Sequence, residues 1–206
     1  HAFDGDKVRS IRVAQSGKAQ EMATLDGKRW KILPEDLLIQ QGNQPIAIAG
    51  VMGGLDSEVS ASTKTLLLES ANFRAARIRR TSTRLGLRTD ASLRFEKKLP
   101  PITARTAVGR ILTLFSVAGY EHKVVSRLSS AGDAKDRTRP VQLPSGYVAR
   151  RAGAAISDEE SAQILQSIGF GCQPRADGGL DVAIPPFRGE FDIAIPEDIS
   201  EEVMRL

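Results

Sequence analysis

The sequence predicts a chain of mixed α/β and α+β class in two domains. Three observations carry that expectation: period-two alternation through the first fifty residues, helical periodicity from residue 74 onward, and a change in the sign of charge near Pro140. The 206 residues, 41% apolar and 26% charged, supply enough apolar material for one large core or two small ones. The overall charge of +4 divides unevenly: residues 1–140 hold 24 basic against 14 acidic side chains, or +10, and residues 141–206 hold 5 against 11, or −6. The expected boundaries are therefore a first domain over 1–128, a linker over 129–140 and a small second domain over 141–206 that is cut short at its C-terminus.

Each element has a local reason. Val8-Arg9-Ser10-Ile11-Arg12-Val13 alternates apolar and polar positions, and Leu25-Asp26-Gly27-Lys28 supplies a turn signal between short runs, which predicts hairpin-rich β-structure. Strands are expected at Asp36–Ile39 and Pro45–Ala49, the second ending in Gly50-Val51-Met52-Gly53-Gly54, and another at Leu66–Leu68, which stops at Glu69. Helices are expected from Arg74 to Leu85 with a stop at Gly86, and from Pro101 to Ala118 with Gly119 beyond it. The apolar positions of the second helix, Ile102, Val108, Ile111, Leu112 and Phe115, predict a buried stripe. Small, polar, turn-prone residues over 129–140 make the linker. After it, Ser157-Asp158-Glu159-Glu160 has the capping-box pattern and opens a helix running to Gly169. A hairpin turning at Asp177-Gly178-Gly179 follows, and a last helix starts near Pro196.

Composition excludes several classes. A single cysteine, Cys172, rules out an internal disulfide, and two histidines, His1 and His122, leave zinc without ligands, so any metal is held by oxygen. No run approaches the roughly 18 to 20 apolar residues of a membrane span, and the N-terminus lacks a signal core, which makes the cytoplasm the expected location. Residues 74–98 carry nine Arg or Lys against Asp90 and Glu96, which fits a polyanionic partner or, equally, a solvated helical face.

Three features could carry chemistry. The Gly50–Gly54 segment could bring backbone amides close to a ligand or be a tight turn between strands; it lacks the spacing of a P-loop or dinucleotide fingerprint, so nucleotide hydrolysis is not expected. Glu69 ends an apolar strand, and burying an unpaired carboxylate is costly, so its head reaches solvent, pairs with a nearby arginine or faces a polar pocket. Asp198, Glu201 and Glu202 fall at i, i+3 and i+4 of the last helix with Asp192 before it, which suits either a hard cation such as magnesium or a solvated acidic helix start.

Taken together, Ile46–Gly54, Leu67-Leu68-Glu69-Ser70-Ala71, Arg79-Arg80-Thr81, Arg84–Ser92 and Arg94-Phe95-Glu96 resemble the β subunit of bacterial phenylalanyl-tRNA synthetase in order and spacing. The opening His1-Ala2-Phe3-Asp4 fits as well, and the resemblance runs on through Pro185-Pro186-Phe187-Arg188 and the acidic helix. It covers nearly the whole chain and implies a fragment: a mixed-sheet editing domain with helices, then a small winged-helix-like α+β domain.

The resemblance also implies a role for each feature. Such a synthetase must separate phenylalanine from tyrosine, which differs by one phenolic hydroxyl, and an apolar pocket rejects an added hydroxyl by only about 10²-fold. A second, hydrolytic site that hydrogen-bonds the hydroxyl can accept tyrosine and disfavour phenylalanine. By resemblance, Glu69 recognises that hydroxyl, His1 and Thr89 are polar groups near the ester, and Gly53, Gly54 and Ala91 belong to the substrate cavity, with Gly53 and Ala91 keeping it open. The implied reaction is hydrolysis of tyrosyl-tRNA(Phe) by water, with no general base identified. Asp192, Asp198, Glu201 and Glu202 match magnesium-binding acids lying against the catalytic α subunit of a heterotetramer. ATP would be used by the whole enzyme and not bound by this fragment, and the expected partners are tRNA(Phe) and the α subunit, with neither membrane nor DNA. Two departures stand out: Lys97-Lys98-Leu99-Pro100-Pro101 replaces an Arg-Gly-Val-Asp-Pro type sequence, and Phe187–Asp192 has extra residues before its acid. The alternatives are a non-catalytic tRNA-binding or assembly module with a vestigial pocket, and a free-standing editing-like hydrolase.

Overall fold

The structure, a computed structural model, describes residues 1–133, 135–189 and 192–206. Ala134 of the expected linker and Glu190 and Phe191 of the Phe187–Asp192 stretch lie outside the described residues. The fold is mixed α+β and divides into two compact units, His1–Leu99 with Ala104–Ser129, and Pro100–Thr103 with Ser130–Leu206.

The first unit opens with β1 (Ala2–Asp4), β2 (Arg12–Gln15), β3 (Gln20–Ala23), β4 (Arg29–Ile32), β5 (Leu37–Gln41), β6 (Gln44–Ile48), β7 (Met52–Gly53) and β8 (Leu66–Leu68). Strand β2 begins at Arg12 and not at Val8, because the Lys7 and Val8 N–H groups both bond back to the Asp4 carbonyl and make a turn of that stretch. β3 and β4 pair around the Asp26-Gly27 turn. The main sheet has the antiparallel order β2-β5-β6-β7, with a bulge between Ile39 and Gln40. Leu38 and Ile48 pack on one side with Met22, Ile32 and Val51, while Ile39 and Ala47 pack on the other with Phe3 and Val8. Covered on both faces, these two strands read as apolar runs with little alternation.

Helix α1 (Ala75–Leu85) buries Ile78, Thr81, Ser82 and Leu85 and ends at Gly86, whose left-handed φ of 66° accepts the expected stop. Helix α2 (Asp90–Phe95) has no counterpart in the sequence reading; Thr89 caps it, accepting from the Ser92 N–H, while Ser92 returns a bond to the Thr89 N–H. Helix α3 (Thr103–Val117) starts two residues later than expected, and none of its residues is buried. The expected buried stripe, Ile102, Val108, Ile111, Leu112 and Phe115, is instead half-buried.

The second unit contains β9 (Val141–Leu143), α4 (Tyr147–Ala152), α5 (Asp158–Ser167), β10 (Gly171–Pro174), β11 (Leu180–Ala183) and α6 (Pro196–Met204). Its antiparallel sheet has the order β10-β11-β9, and Val141, Val148, Leu165, Val182 and Ile199 fill its core. Ser157 caps α5 by accepting from the Glu160 N–H. In the β10–β11 turn Gly179 has a φ of +83°, and a Cβ there would lie 2.1 Å from the Leu143 carbonyl oxygen. Backbone cannot yield as a side chain can. Gly179→Ala is therefore expected to lower the stability of this unit by about 2–4 kcal/mol, read from its denaturant midpoint; an unchanged midpoint would contradict the turn geometry.

Candidate functional site

β1 pairs antiparallel with β8, with Ala2 opposite Leu68. One step beyond the ladder, the Glu69 N–H donates to the His1 carbonyl and the His1 nitrogen donates to the Glu69 carbonyl, each at 2.8 Å. Residues that exchange both backbone bonds project their side chains to the same face. The pairing thus brings two residues 68 positions apart together, with His1 Nδ1 3.5 Å from Glu69 Oε2. The His1 ring also sits 5.5 Å, centroid to centroid, from the ring of Phe3, its same-face neighbour on β1.

Glu69 is unusual in how little else answers it. Its side chain is 8% exposed, and its Oε1 is buried with no hydrogen-bond partner among the described residues. No arginine pairs with it there, which removes the structural pairing that the nearby arginines suggested. Burial pushes its carboxyl above the ordinary value of 4.5. An unanswered buried acceptor costs free energy on the order of 1–3 kcal/mol, a cost a ligand donor can recover.

The Gly50–Gly54 segment forms the return from β6 into β7. Two of its amides are spent internally: Val51 N–H bonds to the Ile48 carbonyl and Gly54 N–H to the Ile46 carbonyl. The segment is thus the tight turn, and the glycines serve close packing. A Cβ on Gly54 would meet Met22 Cε at 2.6 Å and the Ile46 carbonyl oxygen at 2.7 Å. A Cβ on Gly53 would meet Leu25 Cδ1 at 2.9 Å and His1 Cδ2 at 4.0 Å. Gly53, with His1 and Glu69, therefore borders one region, whereas Gly54 sits against packed backbone.

Thr89 reaches the same turn from the other side, its hydroxyl donating to the Val51 carbonyl at 2.6 Å while accepting from Ser92 N–H. That hydroxyl has given away its one proton, so here Thr89 fixes the start of α2 against the glycine turn. Ala91 is half-buried in the first turn of α2. The residues composition alone did not single out are Leu25, which fronts Gly53, and Ser92, the reciprocal cap; a Thr-x-x-Ser spacing was the available signal.

The four acids of the second unit are dispersed by their own partners. Asp198 Oδ2 accepts from the Ala194 and Ile195 N–H groups at 2.8 and 3.0 Å and so caps α6. Glu202 turns inward, 9% exposed, onto the Arg188 guanidinium at 2.7 and 2.9 Å, and Arg188 Nε bonds Asp192 at 2.5 Å. Glu201 points to solvent. The i, i+3, i+4 spacing is real, but a cation there would face Arg188. Among the described residues no group of three or more His, Cys, Asp or Glu side chains could hold a metal ion. As arranged, these acids do not fit a magnesium ion.

Arg188 also lies 5.8 Å from the ring centroid of Phe170, and its hydrogen bonds hold the Glu202 carboxyl below its ordinary value. A depressed carboxyl contributes stability that is complete above the unfolded value and is lost as pH falls through the folded one. Arg188→Met is expected to cost about 1–3 kcal/mol at neutral pH and to flatten the acid limb of this unit's stability profile below pH 4.5; an unchanged limb would show that the pair is not formed.

Comparison with known proteins supplies the setting. Residues 1–119 match the model of the B3/4 domain and residues 141–206 that of the tRNA synthetase B5 domain. The whole chain aligns with the phenylalanine–tRNA ligase β subunit of Halalkalibacterium halodurans at 41% identity and with that of Solibacter usitatus at 33%, covering 25% and 27% of those proteins. It thus spans about a quarter of the length of these relatives. A crystal structure of an N-terminal fragment of the phenylalanyl-tRNA synthetase β-subunit from Pyrococcus horikoshii shares the fold over 99% of this chain and 58% of its own, with a TM-score of 0.51 at 13% identity. The chain therefore belongs to the B3/4 family and, with the B5 domain that follows, to the β subunits of phenylalanine–tRNA ligase, an aminoacyl-tRNA synthetase.

Proposed function

We propose that the first unit hydrolyses the ester of tyrosyl-tRNA(Phe), a proofreading activity, and that Glu69 selects the substrate. The observation that carries this reading is the buried Glu69 Oε1 without a donor. A phenolic O–H supplies that donor, whereas the phenyl ring of phenylalanine leaves the oxygen unanswered. Gly53 leaves room beside His1, whose imidazole lies 3.5 Å from the Glu69 carboxyl. On this reading water attacks the ester carbonyl, tRNA(Phe) is the carrier, and the α subunit, ATP and magnesium belong to the cytoplasmic heterotetramer that performs aminoacylation. The test is deacylation of tyrosyl-tRNA(Phe) and phenylalanyl-tRNA(Phe) by this chain and by the assembled synthetase. Preferential release of tyrosine supports the reading; equal rates, or none above the uncatalysed rate, remove it.

A further inference from the structure

Helix α1 carries Arg77, Arg80 and Arg84 at spacings of three and four, with Arg74 at its N-cap, so the four form one stripe about 15 Å long. The helix contains no acidic residue. Beside it is a cavity of about 120 Å³, bordered by Gln15, Asp36, Thr81 and the three helical arginines. Its floor is fixed. Asp36 is 3% exposed and accepts from the Leu33 N–H and the Thr81 hydroxyl, each at 2.7 Å, and from Arg84. Arg84 also donates to the Lys31 carbonyl at 3.0 Å, which leaves its guanidinium held at both ends.

Arg77 and Arg80 differ from Arg84. Neither guanidinium has a hydrogen-bond or ion-pair partner among the described residues. With Asp36 answered by Arg84, the remaining charge of the groove is two free guanidinium groups against Glu35 on its rim. Guanidinium forks match the paired oxygens of a phosphodiester, and a row of them at helical spacing can follow a backbone. We propose that this groove is an RNA backbone site, in which Arg77 and Arg80 each hold a phosphodiester of the tRNA while the Asp36, Thr81 and Arg84 cluster fixes the wall of the groove. The inference rests on the reading that the chain handles a tRNA, and it adds the surface on which the RNA lies.

The experiment is a salt titration of tRNA(Phe) binding to this chain, with three proteins compared: wild type, Arg77→Ala/Arg80→Ala, and Arg105→Ala/Arg110→Ala, which removes equal charge from the exposed face of α3. Each lost phosphate contact lowers the slope of log K against log salt by about 0.7–0.9. The α1 double variant is expected to bind at least about fivefold more weakly in low salt and to lose about 1.4–1.8 from the slope, while the α3 variant keeps the wild-type slope. Equal losses from both variants mean diffuse charge and overturn the site, as does failure of the wild-type chain to bind tRNA. A wild-type chain that binds with the expected slopes yet does not deacylate tyrosyl-tRNA leaves the groove standing and removes only the hydrolytic reading.

Discussion

Gly53→Trp is expected to abolish tyrosyl-tRNA deacylation, lowering its rate at least about 100-fold, with little loss of tRNA affinity. The reason is spatial. A single added carbon at Gly53 would already approach Leu25 Cδ1 to 2.9 Å and stand 4.0 Å from the His1 ring. An indole there is expected to extend into the space bordered by His1 and Glu69, and about 1.4 kcal/mol of misfit per tenfold is readily reached when a ring is forced against a substrate. Gly53→Ala separates occlusion from unfolding: Leu25 is 46% exposed and can turn aside, so this variant should fold and keep most of its rate. Thermal melts of both variants check that they remain folded. A folded Gly53→Trp form with wild-type turnover would move the substrate site elsewhere.

Glu69→Ala is expected to lower kcat/KM for tyrosyl-tRNA(Phe) about 10- to 100-fold while changing that for phenylalanyl-tRNA(Phe) little. A hydrogen bond to a charged acceptor contributes about 1.5–3 kcal/mol when its loss leaves the partner unpaired, and only the phenol has such a partner. The pH dependence carries the same signature. Burial raises the Glu69 carboxyl above 4.5, so on acidification the acceptor is lost at a pH higher than an exposed glutamate would need, and the preference for tyrosine should decline there. The stability contribution runs the opposite way: with the folded value raised, it is complete below the unfolded value of 4.5 and is lost as pH rises through the folded one. Glu69→Gln should remove that slope, as chemical denaturation between pH 4 and 8 would show.

What could be read from the sequence was mostly local. The Asp26-Gly27 turn, the Gly86 stop and the Ser157 cap are each fixed by residues within a few positions, and all three occur in the structure. The short helices α2 and α4, six residues each, are too brief for periodicity to reveal. The half-exposed stripe of α3 shows the converse, since periodicity reports which positions share a face and not what covers it. The candidate site was legible only through resemblance. Nothing in the chain signals that β1 pairs with β8, so the closeness of His1 to Glu69 across 68 positions is a product of the fold. The acidic helix shows a related limit: spacing places Asp198, Glu201 and Glu202 on one side, whereas backbone capping holds the Asp198 carboxylate and Arg188 that of Glu202.

The proposed role of Glu69 Oε1 is to accept the hydrogen bond of a substrate hydroxyl. Its most direct test is a crystal structure of the chain with a non-hydrolysable amide analogue of tyrosyl-adenosine. The phenolic oxygen is expected within about 2.5–3.0 Å of Glu69 Oε1, with the ester position facing His1. A tyrosine ring bound elsewhere, with Oε1 still unpartnered, would contradict it.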